Sequence, residues 1–322
     1  MTHAHHYAFN GDADGLCALQ QLRLADPAAA TLVTGVKRDI QLLERVVAGR
    51  GDHVTVLDIS LDSNRDGLMR LLDAGASVRY FDHHHAGTQP VHERFESHID
   101  TAGDVCTSVL VDRHLGGRHR AWAITAAFGD SLPLVGKAMA QASGLGAEAT
   151  ARLERLGIAL NYNAYGEQVC DLHFDPARLA DAMLPYVDPA SFIAESPVFE
   201  QLWAGYESDM AQARSLRPER QAPGATLLVM PDAAWARRAI GVLANDLMHS
   251  LPGSAIAILS PRSGGGYTVS VRVPKESSTG ADEFCRQFPT GGGRRGAAGV
   301  NDLPAGEFDR FVARFEASFA RS

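Results

Sequence analysis

An α/β fold is what this sequence predicts: a mostly parallel N-terminal sheet flanked by helices, a helical connector, and a smaller C-terminal α/β domain. Three observations carry the prediction. Short apolar runs of strand character alternate with helical segments as far as Asp82, the pattern of βα units that build a parallel sheet. From Thr107 onward the periodicity becomes helical. The polar run Arg217-Pro218-Glu219-Arg220-Gln221-Ala222-Pro223-Gly224 then breaks it before strands and helices alternate again. These changes divide the chain into an N-terminal domain over 1–188, a helical connector over 189–221 and a C-terminal domain over 222–322.

In chain order, a strand at 7–10 runs into Gly11-Asp12-Ala13-Asp14-Gly15, and a helix follows over 16–24 with Leu16, Leu19, Gln20 and Arg23 at helical spacing. Strands are expected at 31–35, 54–59 and 78–81, separated by helices at 40–48 and 66–74. The third of these strands ends on Asp82-His83-His84-His85. Helices are expected at 107–114, 122–128, 134–142 and 147–160. The C-terminal part reads strand 226–230, helix 235–250, strands 255–260 and 267–273, helix 282–288, a glycine loop, and a last amphipathic helix from Glu307.

Composition narrows the function classes. With 45% hydrophobic and 21% charged residues among 322, the chain can bury a sizeable core in two domains. Its longest apolar runs, such as 121–128, are too short to span a bilayer, and no basic segment followed by an apolar stretch opens the chain. Four scattered cysteines form no CxxC pair, which suits reduced thiols in a cytoplasmic protein. The net charge of -8 is uneven. Up to Arg220 there are 19 Lys+Arg against 29 Asp+Glu, a balance of -10; the remainder has 11 against 9, or +2. Carboxylates around cations in one domain and phosphate-binding arginines in the other would give this split, as would ordinary surface variation. The acidity argues against a long grip on duplex nucleic acid, and no membrane association is expected.

In a parallel sheet, ligands bind beyond the carboxyl ends of the strands. Three expected strands end in such groups: Asp12 and Asp14, then Asp58, then Asp82, His83 and His84. Singly, each aspartate could be a turn former or a helix cap. Together on one edge they would repel one another unless a cation neutralised them, so the set implies metal. Mixed Asp and His ligation suits Mn²⁺, or Zn²⁺ and Co²⁺, better than Ca²⁺. Two motif matches fail. The segment from Asn10 opens like an EF-hand loop but has Gln21 at the closing position and follows a strand. Gly291-Gly292-Gly293-Arg294-Arg295-Gly296 fits GxGxxG, but a helix precedes it and too little chain follows for a βαβ unit.

Taken in order, Asp12-x-Asp14-Gly15, the strand ending at Asp58, the Asp82-His83-His84 triplet and Asp130 after a helix resemble the four motifs of the DHH phosphoesterases, the superfamily of RecJ-like exonucleases, oligoribonucleases and manganese-dependent pyrophosphatases. Ser270-x-Arg272 and the loop from Gly291 to Gly299 resemble its DHH-associated C-terminal domain. The resemblance implies one or two Mn²⁺ ions, with Mg²⁺ or Co²⁺ as alternatives. Asp12, Asp14, Asp58, His83 and Asp130 would be the ligands, Asp58 bridging. His84 would contact the phosphate or assist proton transfer, and Asp82 would orient the histidines. Arg272, Gly291, Gly292, Gly293 and Arg294 would bind substrate, together with Lys37 and Arg38, for which solvated surface charge is an equal explanation.

Two departures stand out. Many relatives have histidine where this chain has Ala8, and RecJ-like exonucleases have aspartate where it has Asn10. Arg294 replaces the histidine usual in the glycine loop, giving a permanent charge with a fork suited to phosphate. Cys106-Thr107-Ser108 could cap a helix or touch phosphate; the cluster Asn161, Tyr162, Asn163, Tyr165 could end a buried helix or stack on a base. The expected activity is two-metal hydrolysis of a phosphodiester or phosphomonoester in a small nucleotide or short single-stranded oligonucleotide, in a chain free to form a homodimer. The alternatives are a pyrophosphatase or polyphosphatase, and a degenerate member that binds nucleotides with little turnover.

Overall fold

The computed structural model describes residues 3–321, which form two compact units, the first ending at Gly205 and the second beginning at Tyr206. In the first, β1 (His5–Phe9), β2 (Ala30–Val33), β3 (His53–Leu57), β4 (Ser77–Asp82) and β5 (Phe95–Ile99) make a wholly parallel sheet in the order β2-β1-β3-β4-β5. The helices are α1 (Ala13–Ala25), α2 (Arg65–Asp73), α3 (Thr107–His114), α4 (Arg120–Gly129), α5 (Pro133–Ala142), α6 (Ala147–Asn163), α7 (Pro176–Met183), α8 (Pro189–Glu195) and α9 (Pro197–Arg214), the division between units falling within α9.

Alternation along the strands sends Tyr7, Phe9, Leu57 and Phe81 to one face, where they meet Leu16, Trp122, Leu156 and Phe192 of the helical layer. Ala8, Val54, Val56 and Tyr80 face the other way, onto Leu42, Leu43, Leu68 and Leu71. With both faces covered and all strands parallel, every carboxyl end lies on one edge. Among the described residues, no helix is long and apolar enough to cross a membrane.

The helix expected at 40–48 is absent; only a 3-10 turn, Leu42–Arg45, forms. Leu42, Leu43 and Val46 are fully buried, as the pattern requires. Besides turn bonds such as that from the Val46 amide to the Leu43 carbonyl (3.2 Å), their backbone bonds to side chains of the next segment. Asn64 accepts from the Leu43 amide (3.1 Å) and donates to the Ile40 carbonyl (2.6 Å), while Arg70 donates to the carbonyls of Leu43 (2.7 Å) and Val46 (2.9 Å). Strand β5 has no counterpart in the expectations. It is a polar edge strand tied across to β4 by Arg79–Glu96 at 2.9 Å.

Helices α4 and α6 cross where Gly129 meets Gly157, and this crossing carries Asp130 to the sheet edge. A Cβ on Gly157 would lie 2.2 Å from the Thr125 carbonyl oxygen and 2.9 Å from the Gly129 nitrogen, both backbone atoms that cannot swing aside. Gly157→Ala should therefore destabilise the unit by roughly 3 kcal/mol and lower its melting temperature by roughly 5–10 °C in a calorimetric scan. An unchanged midpoint would mean the helices are not in contact there.

The second unit comprises β6 (Arg220–Ala222), β7 (Ala225–Val229), α10 (Ala234–Ser250), β8 (Ala255–Pro261), β9 (Tyr267–Arg272), α11 (Ala281–Cys285), β10 (Gly291–Arg294), β11 (Ala297–Leu303) and α12 (Phe308–Phe319). Its mixed sheet runs β10-β11-β9-β8-β7-β6, with only β7 and β8 parallel. One face packs on Phe284, Phe311 and Phe315. Leu228, Ile256 and Ile258 on the other pack against Ala239 and Leu243 of α10. The expected glycine loop is in fact a hairpin, β10 paired to β11 from Gly291↔Val300 to Arg294↔Ala297. Glycine has little strand preference of its own, so pairing with β11, itself held by β9, decides its conformation.

Candidate metal centre and active site

The acidic residues gather at the carboxyl edge of the parallel sheet. Asp12, just past β1, caps α1: its Oδ1 accepts from the amides of Asp14 (3.0 Å) and Gly15 (3.2 Å). Asp14, in the first turn of α1, caps a different helix. Its two oxygens accept from the amides of Thr107 and Ser108, both at 2.7 Å, at the start of α3. The Thr107 hydroxyl donates to Asp58 Oδ1 (3.2 Å) and that of Ser108 to the Asp14 carbonyl (2.7 Å). Both hydroxyls are buried: that of Thr107 positions the Asp58 carboxylate, that of Ser108 the Asp14 backbone, and neither has access to a phosphate.

Asp58 follows β3 with a left-handed φ of 59° and is buried, as is Asp82 at the end of β4. Asp82 Oδ1 accepts from the His83 amide (2.9 Å) and pairs with His84 Nδ1 (2.7 Å). His84 is half exposed, and the Asp82 contact leaves its Nε2 free to act outward. Nδ1 of His83 sits 3.0 Å from the Val105 carbonyl oxygen, which can only accept, so that nitrogen carries the proton. The other ring nitrogen, Nε2, faces Asp58 Oδ1 at 3.4 Å and, from the end of α4, Asp130 Oδ2 at 3.8 Å. His85 remains exposed, its carbonyl accepting from Ser60.

Sequence reasoning undervalued Lys37. The lysine forms an ion pair with Asp12 Oδ2, donates to Asn161 Oδ1 (3.1 Å) and lies 5.7 Å from the Tyr165 ring centre. Arg38 is exposed beside it. The polar cluster after α6 thus divides. Asn161 and Tyr165 serve Lys37. Tyr162 and Asn163 are buried, bonding to His173 (2.9 Å) and to the backbone of Phe174 (2.9 and 3.0 Å).

The electrostatics follow from this crowding. Burial pushes the Asp58 carboxyl well above the usual range, and the charges of Asp12, Asp14, Asp130 and Asp82 push it further. Burial, with Asp14, raises Asp130 to about 6 although Lys37 opposes it. Asp12 is the exception: burial would raise it too, but the Lys37 ammonium and its hydrogen bond hold it below its ordinary value. For His84, burial opposes the charged form, and the hydrogen bond and charge of Asp82 outweigh it, so its pKa is raised.

The remaining expected residues lie in the second unit. Arg272 on β9 opposes Ala297 on β11, which opposes Arg294 on β10, so both guanidinium groups rise from one row on one face with a small residue between them. The next row of that face is Ser270, Gly299 and Gly292, and a side chain at Gly292 would meet nothing. Gly291 and Gly293 alternate onto the opposite face. Arg272 is steadied by Asn245 (3.2 Å) and Ser270 (3.0 Å).

No family profile matches this chain, and no curated protein matches it by sequence. Solved structures do. The manganese-bound exonuclease RecJ aligns over 98% of this chain and 89% of its own, at 19% identity and a TM-score of 0.65. RecJ from Thermus thermophilus in complex with Mn²⁺ aligns over 98% of this chain at 21% identity and a TM-score of 0.63, and this chain spans about half (51%) of its length. The pGpG-specific phosphodiesterase PggH from Vibrio cholerae aligns over 98% of this chain and 99% of its own, at 17% identity and a TM-score of 0.56. This chain shares the fold of these DHH-family structures.

Within this DHH fold, the donor set fits a divalent cation. Asp14, His83 and Asp130 offer three ligand atoms within 4.8 Å of one another, and Asp58, His83 and His84 do the same. An imidazole lone pair facing two carboxylate oxygens is an acceptor facing acceptors, which requires a cation or a proton between them.

Without metal, those carboxylates should leave a pH signature. Raised folded-state pKa values make the contribution of Asp58 and Asp130 fully present below the unfolded value near 3.9, and for Asp130 it is lost as pH rises through about 6. Metal-free wild type should accordingly lose stability relative to Asp130→Asn between about pH 4 and pH 7, by no more than ~3 kcal/mol for that group. Parallel melting curves for the two proteins across that window would contradict the crowding.

Proposed function

We propose that the chain is a metal-dependent phosphoesterase that hydrolyses a phosphodiester in a small nucleotide or short single-stranded oligonucleotide, with Mn²⁺ as the working ion, in the cytoplasm. The observation that carries this reading is the pair of ligand triads sharing His83 at the carboxyl edge of a parallel sheet. Asp14, Asp58, His83 and Asp130 would hold the ion. When bound, the ion supplies a water that deprotonates near neutral pH and positive charge for the phosphoryl oxygens.

The chain's own residues do the rest. Asp58 and Asp14 are fixed by Thr107 and Ser108, so the donor atoms are preorganised. Asp82 favours the charged form of His84, whose Nε2 can then donate to a phosphoryl oxygen or to the departing oxygen. The Arg272–Arg294 row carries two guanidinium groups suited to phosphate next to a glycine and serine surface open to a flat ring. The first 220 residues carry a balance of -10, which favours a short substrate over a long strand.

The test is product release, with Mn²⁺ present, from a linear dinucleotide, a cyclic dinucleotide, a nucleoside bisphosphate, pyrophosphate and short polyphosphate. Mononucleotide release from the linear dinucleotide is expected to be fastest. Turnover confined to pyrophosphate or polyphosphate would replace the diesterase reading with a pyrophosphatase or polyphosphatase.

A further inference from the structure

We propose that Lys37 is a built-in cation of this centre, so that the chain holds one divalent ion, at the Asp14–His83–Asp130 side, and does not hold a second at Asp12. The inference rests on the metal-centre reading and narrows it. Of the aspartates expected as ligands, Asp12 is the one in neither ligand triad. Its Oδ1 accepts from the amides of Asp14 and Gly15 and its Oδ2 is paired with the Lys37 ammonium, whereas Asp14 accepts from two neutral amides.

The lysine is held there by the backbone and has not simply drifted in. The Lys37 amide donates to the Ala164 carbonyl (2.9 Å) at the end of α6. The loop before it runs hard against the Asp12 loop, where a Cβ on Gly11 would lie 2.2 Å from the Gly35 carbonyl oxygen. Asn161 Oδ1 then accepts a second hydrogen bond from the ammonium (3.1 Å). The neighbouring positions offer little to a dication. Ala8 is apolar and fully buried. Asn10 spends its amide oxygen on the Asp12 amide (3.3 Å) and its amide nitrogen on the Lys37 carbonyl (3.4 Å). A dication at the same carboxylate would be repelled by an ammonium at contact distance. The lysine therefore supplies one fixed positive charge that neutralises Asp12, and the exchangeable ion answers the remaining carboxylates.

The test is a metal count. Protein is loaded with excess Mn²⁺, desalted, and assayed by elemental analysis and electron paramagnetic resonance. Wild type and Lys37→Arg, which retains the charge, should hold one Mn²⁺ per chain with an uncoupled signal. Lys37→Gln and Lys37→Met should take up a second and show an exchange-coupled pair. Two ions in the wild type would overturn the proposal while leaving the phosphoesterase reading intact, and so would folded Lys37→Gln and Lys37→Met variants that still hold one. A wild type that binds no Mn²⁺ would overturn both. Should both neutral variants fail to fold, as judged by circular dichroism, the wild-type count alone decides.

Discussion

Asp58→Asn is expected to abolish the response to Mn²⁺ and cut turnover by on the order of a thousandfold or more, with the fold intact. The residue is chosen to isolate charge from shape. Asp58 has a φ of 59°, which asparagine tolerates and alanine does not readily adopt. The amide oxygen can still accept from the Thr107 hydroxyl, now 3.2 Å away. What disappears is the buried negative charge that burial and four neighbouring aspartates already make costly. The metal-free variant should thus be at least as stable as wild type above neutral pH, and it should show no rise in melting temperature when Mn²⁺ is added, whereas wild type should rise by mass action. A variant that keeps the Mn²⁺ shift would remove Asp58 from the ligand set.

His84→Ala should separate chemistry from metal binding. A positioned acid contributes about 10²–10⁴-fold, so kcat should fall by that range while the Mn²⁺-induced thermal shift persists. The structure gives the reason for expecting a kcat effect: Nδ1 is committed to Asp82 at 2.7 Å, and the ring is half exposed on the open side of the centre. Loss of the Mn²⁺ shift along with activity would instead make His84 a ligand of the Asp58–His83–His84 triad.

The acidic edge was legible in the sequence because a parallel sheet presents all its strand ends on one side. Once strands were placed before Asp12, Asp58 and Asp82, their neighbourhood followed. The partners of those residues were not legible. That Asp14 caps α3, or that Asn161 and Lys37 meet across 124 positions, depends on how helices dock, and no local periodicity encodes it. Local pattern also failed where side chains from elsewhere took over backbone hydrogen bonds, as Asn64 and Arg70 do around Leu43. It failed again where glycine concealed a strand, at Gly291–Arg294. Lys37 illustrates the same limit in functional terms. Read alone it was as good a solvated surface charge as a binding group, and contacts distant in sequence, Gly11 with Gly35 and Lys37 with Asn161 and Ala164, bring it onto Asp12.

The most direct test of a metal-dependent phosphodiesterase is Mn²⁺ add-back to chelator-stripped protein while mononucleotide release from a linear dinucleotide is followed. The expected result is no release from the stripped protein, release restored by Mn²⁺, and none at any Mn²⁺ concentration from Asp58→Asn. Release that persists in the stripped protein, or dinucleotide binding with no release after add-back, would contradict it; the second outcome would leave a nucleotide-binding protein that retains the ligand geometry without the chemistry.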